Sequence, residues 1–199
     1  MSGLPPSRAG GRPTEAELVT RAQAGDVAAF ERLAGAHTDH LYTVVLRLVG
    51  DRVEAEDVVQ EALLRAWRAM GRFQGRSLFF TWLYRIAVNE ANRALEKSSR
   101  RGRDVDIEND SIVLSVPANE EPGRRAEQHE LHEQLDRAIA GLDPPYRTAL
   151  VLRDIEGLST REAAEIAGIG EAAFKSRLHQ ARLKVRVALG DETLVADVS

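Results

Sequence analysis

A short run that starts at Trp82, WLYRIAVNEANRAL, places Arg85, Asn89, Asn92 and Arg93 at helical spacing. Side chains three or four residues apart lie on the same face of a helix. Guanidinium groups bind phosphates, and an asparagine amide can donate to and accept from the edge of a base. Surface helices more often carry mixed lysine and glutamate, so this face favours a polyanionic partner.

Aromatic side chains are concentrated around the same helix. Half of the chain's ten aromatic residues lie within twelve residues, interleaved with Arg72, Arg76 and Arg85; they are Phe73, Phe79, Phe80, Trp82 and Tyr84. Most of these rings are expected in a core, Phe79 in particular. A cluster of aromatic and basic side chains also binds unpaired bases, and each stacked base contributes roughly 1–3 kcal/mol.

A second charged surface is predicted on the helix RVEAEDVVQEALLRAWRAM. Its first half carries an acidic and amide face that includes Asp57, Gln60 and Glu61. Acid at a helix N-terminus has a simple alternative explanation, because it compensates the helix dipole by about 0.3–1 kcal/mol per charge. Taken alone, this face therefore needs no partner.

The C-terminal part of the sequence has the pattern of a helix-turn-helix. Ala164 is small enough for two helices to touch, Gly168 can adopt positive φ, Ile169 is the buried turn residue and Phe174 fixes the second helix. From Lys175 onward the second helix carries five basic residues and no acid up to residue 186. This combination predicts a recognition helix in DNA, although a solvated basic face on a helical bundle is the simpler alternative.

Composition limits the classes of protein. The 199 residues include no cysteine, which excludes disulfides, thiol nucleophiles and cysteine-ligated zinc. The net charge of -4 argues weakly against a domain that binds duplex DNA on its own. No apolar run is long enough to span a bilayer and the N-terminus lacks a signal peptide, so we expect a cytoplasmic protein.

Helical periodicity and the absence of strand patterns predict an all-α chain with two small helical domains. The acidic, proline-containing stretch from Asp104 to Glu121 predicts a flexible linker between them. The predicted boundaries are a disordered arm at 1–13, a first domain at 14–97, a linker at 98–125, a second domain at 126–189 and a tail at 190–199.

Capping residues predict where several helices begin. Thr14 with Glu17 forms a capping box, Asp26 opens a helix that continues to Gly50, and Ser77 opens the helix quoted above. Asp51 and Ser159 are the expected N-caps of two further helices.

Three motifs together resemble a known family. The segments AEDVVQEALLRAW, FQGRSLFFTWLYRIAVNEANRAL and GLSTREAAEIAG followed by FKSRLHQAR look like regions two and four of a bacterial RNA polymerase sigma factor of the extracytoplasmic-function class. The resemblance extends from about Asp26 to Leu189. It implies that the first domain docks on the β′ clamp helices of core RNA polymerase and the second on the β flap, and that both bind promoter DNA.

The resemblance also implies roles for individual residues. In the first domain, the positions that would bind core polymerase are Asp57, Val58, Gln60 and Glu61, and those at the minus ten element are Phe73, Arg76, Ser77, Arg85, Asn89, Asn92 and Arg93. In the second domain, the positions at the minus thirty-five element are Ala172, Lys175, Ser176, Arg177, His179 and Arg182. An anti-sigma factor is typical of the class, but no residue identifies one.

Two other hypotheses remain open from the sequence. An operator-binding dimeric regulator would use the same helix-turn-helix, but it would leave the acidic face and the aromatic cluster unexplained. A helical-bundle metalloenzyme would rest on His37 with His40 and on His129 with His132, where the glutamates of carboxylate-bridged sites are missing. We therefore expect no catalytic residues, no metal and no cofactor.

Overall fold

The computed structural model describes residues 13–101 and 134–190, and over these ranges the protein is helical without a strand. The prediction of an all-α chain is thus confirmed for this part. The predicted arm up to residue 12, the linker beyond residue 101 and the tail from 191 lie outside the described residues. The helices are α1 (Glu15–Gln23), α2 (Val27–Gly35), α3 (Thr38–Val49), α4 (Arg52–Ala69), α5 (Phe79–Arg101), α6 (described from 134 to 140), α7 (Pro144–Leu150), α8 (Thr160–Ala167) and α9 (Glu171–Ala188).

Side-chain caps fix several helix starts where the sequence predicted them. The Thr14 hydroxyl accepts from the Glu17 backbone N–H at 3.3 Å, and the Glu17 carboxylate accepts from the Thr14 N–H at 2.9 Å. Asp26 and Asp51 each accept a backbone N–H three residues later. Such caps satisfy backbone donors that have no partner within the helix.

The helix predicted from Asp26 to Gly50 is instead two helices, α2 and α3. The chain turns after Gly35, where the His37 N–H donates to the Ala34 carbonyl at 2.9 Å. The Thr38 hydroxyl donates to the same carbonyl at 3.0 Å. A glycine weakens the helix at this point, and the side-chain bond competes with the backbone ladder.

The helix with the polar face, α5, also differs in its bounds. It begins at Phe79, so Leu78 rather than Ser77 directly precedes the first helical residue. It continues to Arg101, beyond residue 97 where the predicted first domain ends.

The first domain is built around α5, which packs against α3 and α4. Phe79 is 1% exposed and its ring contacts Phe30 and Phe73 edge to face, with centroids 6.3 and 6.1 Å apart. Edge-to-face pairs stabilise a core beyond their buried area. The core assignment of Phe79 is therefore confirmed.

The second domain contains the predicted helix-turn-helix, formed by α8 and α9. Gly168 ends α8 in the left-handed conformation with φ of +70°, and the Ile169 N–H donates to the Ala164 carbonyl at 3.1 Å. Ala164 is 2% exposed and Phe174 is fully buried. Ala164, Gly168 and Phe174 take the predicted roles, whereas Ile169 is only partly buried against the core.

The two domains pack against each other, which the sequence did not predict. Helices α7 and α8 lie on α5, and a π-helical turn that continues α7, Val151–Ile155, lies on α3. Their apolar side chains join one continuous buried cluster. None of the described helices is long and apolar enough to cross a membrane.

Candidate functional site

The second helix of the helix-turn-helix exposes a polar strip. Ala172, Lys175, Ser176 and His179 are exposed, and Arg177 is half-buried. Phe174 and Leu178 hold the opposite face of α9 in the core. An exposed recognition helix of this kind can enter the major groove, with its N-terminal residues at base edges.

Arg182 does not belong to this free strip in the structure. Its guanidinium forms two hydrogen bonds with the carboxylate of Asp154, at 2.9 and 2.7 Å. The bond to Asp154 also raises the pKa of Arg182. Its position on α9, one turn beyond His179, suggested a DNA contact, but the π-helical turn brings a carboxylate to it. The Arg182 side chain is nevertheless 53% exposed, so a DNA contact through it stays a prediction.

The acidic face of α4 is present in the structure, but Val58, which was assigned to it, points into the core. Asp57 and Gln60 are exposed, and Glu61 is half-buried. Val58 is only 6% exposed and packs in the core, so it cannot be a direct contact for a partner. It supports the exposed face from behind.

A network of ion pairs joins this face to α5. The Arg65 guanidinium lies 2.7 Å from Glu61 and 3.1 Å from Glu90, and Arg93 lies 2.6 Å from Glu90. The Glu90 side chain is 9% exposed, so Arg65 and Arg93 are ion-pair partners for a buried carboxylate. Hydrogen bonding to Glu61 raises the pKa of Arg65. This network was not predicted from the sequence, although the three-residue spacing of Glu90 and Arg93 was a signal for it.

The polar face of α5 is partly covered by the second domain. Arg85, Asn89 and Arg93 are exposed, whereas Asn92 is half-buried and accepts a hydrogen bond from the Thr148 hydroxyl at 3.0 Å. The Arg85 Nε lies 3.6 Å from the place where a Cβ on Gly168 would stand. The predicted face is therefore assembled, with Asn92 and Arg85 against the other domain.

The loop before α5 behaves differently from the expectation at Phe73. This ring is 8% exposed, with its centroid 5.0 Å from that of Trp82, and so it belongs to the core and not to a surface that could stack on a base. The Gln23 amide donates to the Phe73 carbonyl at 2.6 Å, which fixes the loop further. Arg76 is exposed and Ser77 is half-buried.

Two of the four histidines considered as metal ligands are described. The His40 ring lies 5.8 Å from that of Tyr84, and its Nε2 is 3.2 Å from Glu156. Burial, together with the charge of Glu156, raises the pKa of Tyr84. Among the described residues no group of three or more potential ligands could hold a metal ion. His129 and His132 lie outside those residues.

Comparisons with known proteins identify both halves of the chain. Residues 33–101 match the family described as Sigma-70 region 2, and residues 132–185 match Sigma-70, region 4. The two matches follow the predicted order and together include α5 and the helix-turn-helix.

Individual relatives align over most of their length. The chain is 36% identical to the RNA polymerase sigma-H factor of Pseudomonas aeruginosa, over 87% of this chain and 92% of that protein. It is 37% identical to the ECF RNA polymerase sigma-E factor of Escherichia coli K12, over 85% and 91%. A solved structure of the Bartonella quintana sigma factor RpoE, in complex with the anti-sigma factor NepR, matches with a TM-score of 0.61 at 26% identity, over 83% of this chain and 99% of that one. The chain belongs to the extracytoplasmic-function class of RNA polymerase sigma factors.

Proposed function

We propose that each domain of this sigma factor binds one promoter element and one site on core RNA polymerase. The first domain, residues 14–97, would dock on the β′ clamp helices and bind the minus ten element. The second, residues 126–189, would dock on the β flap and read the minus thirty-five element. The observation that carries this division is the presence of two separate polar helix faces, on α5 and α9, one in each domain.

The face of α5 suits the melted strand of the minus ten element. Asn89 is exposed in its centre, and its amide can pair with the Watson–Crick edge of a base. Extruding a base costs a few kcal/mol, which the protein must recover through stacking and hydrogen bonds. Arg76, Arg85 and Arg93 would hold the phosphates of the strand, while Phe73 keeps the loop in shape from within the core.

The exposed acidic face of α4 suits a basic surface on the polymerase. Asp57 and Gln60 are available to a partner without rearrangement. Glu61 already has Arg65 as an ion-pair partner, so its contribution to docking would require a shared or exchanged contact. Asp57 is therefore the residue on which we place the docking interaction.

The recognition helix α9 would read the minus thirty-five element through Ala172, Lys175, Ser176 and His179. The first turns of such a helix reach base edges, and basic residues bind the flanking phosphates. This chain has Gly170, Ala172 and Ala173 where many members of the class have other residues. Its base preference at the minus thirty-five element must therefore be measured and cannot be taken from those members.

Catalysis in this system belongs to the polymerase, because sigma factors are non-catalytic initiation subunits. We assign no cofactor to the chain and place its action in the cytoplasm, where the polymerase works. The Bartonella quintana relative is bound to an anti-sigma factor. By analogy we propose an anti-sigma factor as a further partner of this chain.

Runoff transcription with purified core polymerase tests the proposal. On a pool of genomic promoter fragments, adding the chain should produce new discrete transcripts. Lys175→Ala should then lower their yield at least about fivefold, because one base or phosphate contact contributes roughly 1 kcal/mol or more. Lys184→Ala is the matched control on the same helix, since Lys184 lies 3.5 Å from Asp143 and over the Tyr146 ring and not on the exposed strip.

Two results would contradict the proposal. An equal loss of transcripts with Lys175→Ala and Lys184→Ala would mean that the exposed strip of α9 is not the surface that reads the minus thirty-five element. Tight DNA binding by the chain alone, with no transcripts from the holoenzyme, would favour a dimeric operator-binding regulator.

A further inference from the structure

We infer that Arg93 reads one base of the melted minus ten strand, that guanine is the base it fits, and that the buried Glu90 is the residue that positions it. This rests on the function proposed above in one respect, since it takes the polar face of α5 to bind the strand. It narrows the role of Arg93, which was grouped there with two other arginines as a ligand of phosphates.

The Arg93 guanidinium is held in place by a buried carboxylate. Its Nη1 donates to Glu90 Oε1 at 2.6 Å. The Glu90 side chain is 9% exposed, whereas that of Arg93 is 63% exposed. The same Oε1 lies 3.1 Å from Arg65 Nη1, so α4 fixes the carboxylate from its other side. One nitrogen of Arg93 is therefore anchored, and the rest of the exposed guanidinium is left to contact a ligand.

The anchor cancels much of the charge that would attract a phosphate. Ion pairs run from Glu61 to Arg65, from Arg65 to Glu90 and from Glu90 to Arg93, so acids and bases balance along this chain of contacts. A phosphate at Arg93 would also be repelled by the Glu90 carboxylate directly behind the guanidinium. Its N–H donors remain, and these can serve an uncharged acceptor.

The other two arginines assigned to the strand differ from Arg93 in this respect. Arg76 and Arg85 are exposed, and neither forms an ion pair with another residue in the part of the chain that the structure describes. Binding of single strands through phosphates depends on such uncompensated charge, because each neutralised phosphate releases counterions. Arg76 and Arg85 therefore suit phosphates, and Arg93 suits a base.

A guanidinium with a fixed orientation selects guanine among the four bases. Guanine presents two neighbouring acceptors, N7 and O6, which match two N–H groups of the planar arginine fork. Adenine places a donor beside its N7, and cytosine presents a donor where guanine has O6. An arginine without an anchor can turn toward whichever acceptor is present. Fixing it in advance also lowers the entropy that binding costs.

The spacing to Asn89 suits a strand whose bases are no longer stacked. Asn89 and Arg93 are both exposed and lie four residues apart on α5, so they share a face. Four residues advance a helix by about 6 Å, which exceeds the roughly 3.4 Å between stacked bases in a duplex. The two side chains therefore match neighbouring bases of an opened strand. We place the guanine next to the base that contacts Asn89.

Selection of single strands by the holoenzyme tests this inference. Holoenzyme assembled from core polymerase and the full chain is mixed with single-stranded DNA that contains a randomised segment, and the bound strands are sequenced. Wild type should enrich guanine about fivefold to a hundredfold at one position, as expected for one bidentate contact. Arg93→Ala should remove this enrichment, and Asn89→Ala should alter the preference at the neighbouring position.

The salt dependence of binding separates a base contact from a phosphate contact. With Arg93→Ala, a strand that lacks the guanine should bind as it does to wild type, with an unchanged slope of log K against log salt. Arg85→Ala is the contrast, because it should weaken all strands alike and make the slope shallower by about 0.7.

Glu90→Gln tests the positioning role with a signature that a folding defect does not produce. The variant removes the charge that holds Arg93, so the guanine preference should fall at least about fivefold. The freed guanidinium can then bind a phosphate, which should make the salt slope steeper by about 0.7. Arg93→Ala changes an exposed side chain, so its result stands even where Glu90→Gln lowers stability.

Equal weakening of all strands by Arg93→Ala, with a shallower salt slope, would make Arg93 a phosphate ligand and overturn the inference. An unchanged preference and slope in Glu90→Gln would overturn the positioning role. The two proposals fail separately in these assays. Strand selection without runoff transcripts would contradict only the proposed function, and normal transcription without a guanine preference that depends on Arg93 would contradict only this inference.

Discussion

Replacing Phe73 by alanine separates the role implied by sequence resemblance from the role seen in the structure. The resemblance implied that Phe73 lies at the minus ten element, whereas its ring is 8% exposed and packs between Phe79 and Trp82. A buried Phe73 means that Phe73→Ala removes core contacts and lowers stability. A Phe73 ring that stacks on a base at the surface would instead be lost with little change in stability.

The expected loss can be estimated from burial and ring contacts. Truncating a buried phenylalanine to alanine costs about 3–5 kcal/mol. The contact with Trp82 has centroids 5.0 Å apart, and each aromatic pair contributes about 0.5–1.5 kcal/mol beyond area. A loss of about 3 kcal/mol in a domain of this size lowers Tm by roughly 10–20 °C. Phe73→Leu keeps most of the apolar volume and should lose less than half as much.

Thermal unfolding of the full chain, followed by far-ultraviolet circular dichroism, measures this shift. Near-ultraviolet dichroism reports the packing around Trp82 in the same sample. A Tm within about 3 °C of wild type, with reduced affinity of the holoenzyme for single-stranded minus ten DNA, would refute the assignment of Phe73 to the core.

Three further predictions concern the exposed faces of the first domain and one helix cap. Asn89→Ala should lower runoff transcription at least about fivefold while core binding stays unchanged, and Asp57→Arg should weaken core binding about tenfold; equal effects of both variants on core binding would contradict the separation of the two faces. Hydrogen bonding from Ser159 lowers the pKa of Glu162, so the stability that this cap adds is present above the unfolded value of about 4.3 and is lost as pH falls below it. As the pH is lowered below about 4, the urea concentration at the unfolding midpoint should therefore decrease. The decrease should be less steep for Glu162→Gln, and a steeper decrease in this variant would contradict the sign of the effect.

Local patterns predicted the fold well where short-range physics decides it. The capping residues Thr14, Asp26 and Ser159 open helices as expected, and the helix-turn-helix was recognisable because Gly168 and Phe174 each meet a local steric demand. These features depend on residues within one or two turns of each other. Sequence spacing is enough to detect them.

Predictions failed where contacts distant in sequence decide the environment of a residue. Val58 and Phe73 lie in helical and loop positions whose exposure depends on what packs over them, and spacing alone does not reveal this. Spacing also did not reveal that Asp154 reaches Arg182 from the π-helical turn, although the DNA contact assigned to Arg182 stays a prediction. The packing of the two domains was missed for the same reason, since it rests on pairs such as Arg47 and Glu156, more than a hundred residues apart.

The ion pairs between α4 and α5 decide which variants can test the two faces independently. Glu61 holds Arg65, Arg65 also holds the buried Glu90, and Glu90 holds Arg93 on the polar face. Reversing the charge at Glu61 would break its ion pair with Arg65 and so change how Arg65 pairs with Glu90. Because Glu90 also pairs with Arg93, a change at the docking face would then alter the DNA-binding face. Asp57 is exposed on the same face of α4 and lies outside this chain of ion pairs in the described structure. A charge reversal at Asp57 therefore tests docking alone, and a transcription defect in a Glu61 variant would combine both roles of the first domain.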